Sequence, residues 1–285
     1  MFVLIGILVS LGAVMGGYMM HGGSIAILIQ INEFIILFGC AAGSLISAQG
    51  MSGFTNVIKA GLGMLKPDPY ASKDAYTDLL KMMYNLFNIA RKEGLLGLEK
   101  HIEKPEESEI ISKYPSFIGN HHASAFFCDT LKVILTGAVS PHDLMEMMEI
   151  DLEIAHHEQK KMAEAVQTVG DAMPGFGIVA AVLGVIITMG KIGGAASEIG
   201  HSVAAALVGT FLGILLAYGI FAPAAKAMEL RLGSEGAYMN CIRYALVSFA
   251  RGESPITCVE FARRNIAPDF RIGFAEMEAA VKEAA

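Results

Sequence analysis

Uncharged apolar stretches alternate with charged, amphipathic ones along the 285 residues of the chain. Residues 1–32 contain no Asp, Glu, Lys or Arg, residues 34–58 are equally free of them, and two further windows of the same kind occupy 172–189 and 199–225. A bilayer core needs about 20 consecutive apolar residues per helix and tolerates few ions. A soluble helix apolar on every side would have to hide in a large core, so four such windows in one chain predict four transmembrane helices.

Elsewhere the pattern is that of water-facing helices. Residues 75–101 place Leu79, Leu80, Met83, Leu86, Phe87 and Ala90 at three- and four-residue steps, an apolar stripe for packing. Breaks follow at Glu103-Lys104-Pro105-Glu106-Glu107 and at Tyr114-Pro115, because the residue before a proline is pushed out of helical geometry. Ser140-Pro141-His142-Asp143 reads as a helix start, with an N-cap serine, proline at the first position and an acid near the positive end of the dipole. No strong breaker appears until Gly170, so a long helix over 141–168 is expected to run towards the third span, whose start Pro174 and Gly175 mark. Strand-like alternation is missing from the sequence. The expected fold is all-α, an integral membrane protein with a helical cytoplasmic domain. Its segments are 1–50 (spans one and two), 51–170 (a cytoplasmic helical domain), 171–225 (spans three and four) and 226–285 (a cytoplasmic, helical C-terminal tail, solvated and packing).

Composition agrees, at 54% hydrophobic and 17% charged. The placement of charge adds an orientation. Of the 21 basic residues none precedes Lys59, and only Lys191 lies between the third and fourth windows. Short loops rich in Lys and Arg stay in the cytoplasm, which puts 51–170 and both termini on that side of an inner membrane. The N-terminus lacks the basic start of a cleaved signal peptide. Cys40 falls in a span and Cys128, Cys241 and Cys258 on the cytoplasmic side, so all four are expected as free thiols.

Enzymatic signals fail on spacing. His157-Glu158 begins a zinc-protease pattern, yet Lys161 stands where the second ligand belongs. Gly190-Lys191 has Val185 where a phosphate loop needs glycine, and no Ser or Thr follows. Adjacent His121 and His122 point about 100° apart on a helix. Neither an enzyme nor a cofactor is expected.

Helices in lipid associate through small residues that let backbones approach. Ala205, Gly209, Gly213 and Ala217 recur every four residues in the fourth window, and the third offers Gly177 with Ala181 and Ala180 with Gly184. Such faces serve packing within the chain or an interface between subunits. Proton-moving proteins use an ionisable group in the membrane, and here Glu33, Asp171 and Glu198 stand only at window edges, with His201 near an outer end. If protons cross, a partner has to supply the carboxylate, leaving Thr188, Thr210 and Tyr218 as the polar side chains of a path.

Residues 174–184, beginning Pro174-Gly175-Phe176-Gly177, resemble the third span of the MotA family of flagellar-motor stator subunits, within the MotA/TolQ/ExbB proton channel superfamily. Residues 208–219 resemble its fourth span. Gly16-Gly17-Tyr18, Glu107-Ser108-Glu109-Ile110 and Val259-Glu260-Phe261-Ala262-Arg263-Arg264 match further family motifs in order. The resemblance implies a homopentamer around two copies of MotB, whose transmembrane aspartate binds the ion. It implies rotor contact with FliG through Arg91 and Glu99, and conformational coupling at Pro174 and Pro223. The bottom-up reading of the prolines is compatible, since each removes a backbone donor and frees a carbonyl at membrane depth. In sodium-driven members a threonine matches Ala181, whose methyl group cannot coordinate a cation. Thr210 alone is a poor cage, which favours H+ as the translocated ion.

The alternatives are a TolQ/ExbB-type energising subunit, which has three spans, and a sodium-coupled stator. A plain membrane scaffold and a secondary transporter lie further off, the latter requiring its own charged or unwound binding site.

Overall fold

The computed structural model describes residues 2–284. Among them the chain forms α1 (Phe2–Met20), the single turn α2 (Ile25–Leu28), α3 (Ile31–Gly63) and α4 (Lys73–Glu93). The single turns α5 (Glu99–Ile102) and α6 (Pro115–Ile118) precede α7 (His121–Thr136) and α8 (Pro141–Met189). Next come α9 (Ala196–Leu216), α10 (Ala222–Ala250), α11 (Pro255–Arg264) and α12 (Phe274–Glu283), with a π-helical turn, Ala217–Phe221, joining α9 to α10. No strand occurs among the described residues, and four helical stretches are long and apolar enough to cross a membrane, as the four windows require. The chain divides into two compact units, one of residues 1–67 and 158–230 and one of residues 68–157 and 231–285.

The first unit holds the membrane-spanning windows. α1 is apolar on every side and none of its window is fully buried within the chain; one side is half-buried, and the rest of its surface is left for lipid or other subunits. On α3 the buried residues Glu33, Leu37, Ala41 and Leu45 stand four apart and form one inward stripe. The helix kinks at Gly50, whose φ of 70° suits a residue with no side chain. Leu37, Val166, Met173, Leu212 and Leu216 lie together in the interior of this unit. Ile178, Val182, Ile186 and Ile187 of α8 face outward and are at least half exposed.

The second unit packs as a water-soluble domain does. Ser72 caps α4 by accepting from the Ala75 N–H at 3.0 Å, and the apolar stripe anticipated on this helix is buried residue for residue. α4 stops short of residue 101, because Gly94 at φ 82° turns the chain into a 3-10 turn, Leu95–Leu98. Phe87 is fully buried and stacks on Phe249 with ring centroids 4.5 Å apart. The C-terminal segment, expected as a solvated packing tail, supplies Tyr238, Ile242, Leu246, Val259 and Met277 to this core. The apolar positions of α10–α12 at helical spacing face inward, and among the charged residues of the segment Arg243 is buried as well. Each fully buried Leu, Phe or Met contributes about 1.5–3 kcal/mol of transfer free energy.

The four cysteines are free, with Cys40 exposed and the others buried. Burial pushes the Cys128 and Cys258 thiols up to about 11 and that of Cys241 up to about 12.

Candidate functional site

The small residues singled out from the sequence meet one another inside the first unit. A Cβ placed on Gly177 would lie 2.7 Å from the Gly209 carbonyl oxygen and 3.2 Å from Gly213 Cα. One on Gly213 would meet the Met173 carbonyl oxygen at 2.7 Å, and one on Gly184 the Ala206 Cβ at 2.6 Å. α8 and α9 therefore touch backbone to backbone, as small-residue faces allow. The residue opposite Gly184 is Ala206, which the sequence reading missed, whereas Ala205 is only half-buried; Ala217 is buried at the far end of the stripe.

Ala181 and Thr210 are half-buried, and Ala181 borders the seam, with its backbone nitrogen 3.3 Å from a Cβ built on Gly209. The Thr188 hydroxyl donates to the Gly184 carbonyl at 2.8 Å, so its proton is committed to its own helix and only lone pairs remain for anything else. Tyr218, in the π-helical turn, is 70% exposed and points away from the packed core of the chain.

Glu33 was read as a residue at the edge of a window. The structure buries it to 7% exposure and sets its Oε2 in the space that a Gly209 side chain would fill. The signal was available, since Glu33 belongs to the same four-residue stripe as Leu37, Ala41 and Leu45.

Pro174 lies inside α8, which continues through it unbroken, and Pro223 is the second residue of α10, directly after the π-helical turn. A proline at position i leaves the carbonyl at i−4 without its helical donor, here those of Gly170 and Gly219. Gly170 packs against that turn, with a Cβ built on it 2.9 Å from Phe221 Cβ and 3.8 Å from the Ala217 carbonyl oxygen. The two interrupted hydrogen-bond ladders thus lie side by side.

In the second unit Arg91 occupies the last turn of α4 and Glu99 begins α5, both exposed and neither in an ion pair. Arg91 borders a cleft of about 620 Å³ lined also by Phe87, Leu95, Gly137, Phe249 and Glu253. Two residues past Glu99, His101 is buried with Nδ1 2.8 Å from Ser108 Oγ, which also accepts from the Ile110 and Ile111 N–H groups. With both lone pairs so used, the serine donates to Nδ1, the ring is the Nε2–H tautomer, and Nε2 has no partner. Burial, aided by Lys100, holds the His101 pKa below its ordinary value. His122 shows the reverse, its Nδ1 2.9 Å from Glu235 Oε1 and its pKa raised by that hydrogen bond. Among the described residues no group of His, Cys, Asp and Glu side chains is arranged to hold a metal.

A multi-span helical membrane subunit with a glycine-packed pair of inner helices and a second, water-facing helical unit is the class these features define. Residues 4–94 match the N-terminal model of motility protein A, and residues 119–240 match that of the MotA/TolQ/ExbB proton channel family. Motility protein A of Escherichia coli is 36% identical over 99% of this chain and 95% of its own length. Chemotaxis protein LafT of Vibrio parahaemolyticus is 35% identical over 96% of each chain. The fold matches C. jejuni MotAB with a TM-score of 0.77 over 95% of this chain and 98% of the other, at 22% identity. The Bacillus subtilis MotAB stator complex matches with 0.76 over the same shares, at 21% identity. The chain belongs to the motility protein A family.

Proposed function

We propose that the chain is the membrane stator subunit of a flagellar motor, forming with a MotB-type partner a channel that turns proton flow into torque on the rotor. The observation that carries this reading is family membership along 99% of the chain, through both units. Five copies surround two partner copies, whose transmembrane aspartate binds the proton. The exposed apolar face of α8 supports such neighbours. Ala181 and Thr210 flank the partner helix, and the missing oxygen at Ala181 favours H+ over sodium. Thr188 and Tyr218 continue the path. The segment 51–170 and both termini lie in the cytoplasm, where Arg91 and Glu99 steer the rotor protein FliG. Exposed, unpaired charges suit register and encounter more than raw affinity. Pro174 and Pro223 are the places where the inner helices yield when the partner aspartate changes charge, a role supported by the two adjacent interrupted hydrogen-bond ladders and the π-helical turn. No cofactor and no chemical turnover enter this function.

The test is expression with its partner in a stator-deficient strain, with swimming speed followed as sodium is withdrawn at constant proton-motive force. Restored motility that ignores sodium and collapses with a protonophore is expected. Motility that tracks sodium and survives the protonophore at alkaline pH overturns the proton assignment.

A further inference from the structure

Among the described residues of the first unit, Glu33 is the one buried side chain that can carry a charge. Its Oε2 lies in the gap opposite Gly209, walled by Ala180 and the Ala181 backbone, and has no hydrogen-bond partner. Nothing packed around it offers a counter-charge. α8 carries no Asp, Glu, Lys, Arg or His between Asp171 and Lys191, and the chain from α9 into α10 carries none between His201 and Lys226. On α1 the titratable group is Tyr18, on the π-helical turn it is Tyr218, and on α3 itself Cys40 and Lys59 follow, about two and about seven turns away. Asp171, inside α8, and Lys191, Glu198 and His201, near the ends of α8 and α9, are all exposed.

An ionised carboxylate without cation or donor is among the most costly things to bury, whereas the neutral acid is tolerable and becomes favourable once its O–H finds an acceptor. We infer that Glu33 is a second proton-binding carboxyl of the transport path, contributed by this chain itself, with its acid held in the gap between Gly209 and Ala180. The inference rests on the proposed channel function and adds a carrier to the partner's aspartate. On release the O–H bond of Glu33 breaks, its electron pair stays on the carboxylate, and the proton passes to water or to the partner's carboxylate. A proton from the outer medium restores the acid, and no oxidant or reductant takes part. Gly209 is required because any side chain there would fill the space that holds Oε2.

Dicyclohexylcarbodiimide tests the protonation directly, because it attacks protonated carboxyls in apolar surroundings. The acid proton moves to a carbodiimide nitrogen while the carboxyl oxygen bonds to the central carbon, and the product rearranges to a stable N-acylurea. Membrane vesicles containing the full chain and its co-expressed partner are treated across pH, and the adduct is located by peptide mass mapping. Modification of Glu33 at neutral pH that fades at strongly alkaline pH is expected; an unmodified Glu33 at neutral pH overturns the inference. In parallel, Glu33→Gln should assemble normally yet lower proton flux roughly a hundredfold, the low end of what a positioned proton-transfer group contributes. Glu33→Asp should recover part of the flux. Full flux in an assembled Glu33→Gln complex assigns the residue to packing alone. Should the natural chain fail to restore motility, the stator reading fails, while the carbodiimide result still decides whether Glu33 holds a proton.

Discussion

The two units bury themselves by opposite means. In the second unit, water drives large side chains such as Phe87, Phe117, Phe127 and Met83 into a core where they are at most 1% exposed. In the first, the helices are held where side chains are missing, at Gly177, Gly184, Gly209 and Gly213. Lipid is as apolar as leucine, so burying leucine there gains little, and close backbone contact does the work instead. Among the described residues, side-chain caps are confined to the second unit's longer helices: Ser72, Asn120 and Ser254 cap α4, α7 and α11, whereas α2, α3 and α9 start without one, as do the short α5, α6 and α12. Each cap contributes about 1 kcal/mol in water.

The contrast breaks most sharply by mutation. Phe87→Ala should destabilise the second unit by about 3–5 kcal/mol, since it removes a fully buried ring stacked on Phe249. Thermal unfolding of the purified complex in detergent measures this, and an unchanged midpoint would contradict the packing described.

Gly213→Val should cost about 1–3 kcal/mol or more by overpacking, because the new atoms meet the Met173 carbonyl and Gly177 Cα, which belong to backbone and cannot swing aside. The yield of monodisperse complex on size exclusion is the readout. Gly16→Ala, which meets nothing within 4 Å in the chain, should stay within about 0.5 kcal/mol of the parent. A loss as large as that of Gly213→Val would show that another subunit covers α1.

The pH dependence of the second unit should have two opposed limbs. The folded unit favours neutral His101, so it binds fewer protons than the unfolded chain. That stability is present above the unfolded value of 6.5 and is lost as pH falls through the lower folded value. His122 runs the other way, contributing fully below 6.5 and losing its share as pH rises through its raised value. Solvent screening keeps the His122 limb under about 1 kcal/mol, its side chain being 37% exposed. Melting curves of His101→Gln and His122→Gln across pH should each flatten one limb.

The smallest effect on stability is expected from the double reversal Arg91→Glu, Glu99→Lys, within about 0.5 kcal/mol because both side chains are exposed and unpaired. Swimming should nevertheless fall in the unaltered rotor background. Normal motility with this variant would remove the two charges from the rotor contact.

The sequence displayed these arrangements unequally. The spans were legible because lipid forbids charge over a whole helix, and the α4 stripe because water imposes a helical period. The Ser140 cap was legible too, its hydroxyl accepting from the Asp143 N–H at 3.2 Å. Gly94 went unseen as a stop because one glycine in a helical pattern is often tolerated. Glu33 is hard to see from sequence because it is the acid that bounds an uncharged window, although the four-residue period of α3 runs straight through that position. Ala206 was passed over for Ala205 because a strict four-residue step drifts off a helix with 3.6 residues per turn.

The distribution of thiols gives the chain an unplanned convenience for chemical labelling. Thiolate is the species that attacks maleimides and disulfides, and three of the four sulfur atoms are both enclosed and held at about 11 or 12, far from ionisation at neutral pH. Cys40 is accessible, but it lies within an apolar spanning window where ionic reagents do not dissolve. To a charged, water-borne maleimide the unaltered protein is therefore nearly silent, and one cysteine introduced on either water-facing side will report its own location without any native thiol having to be removed.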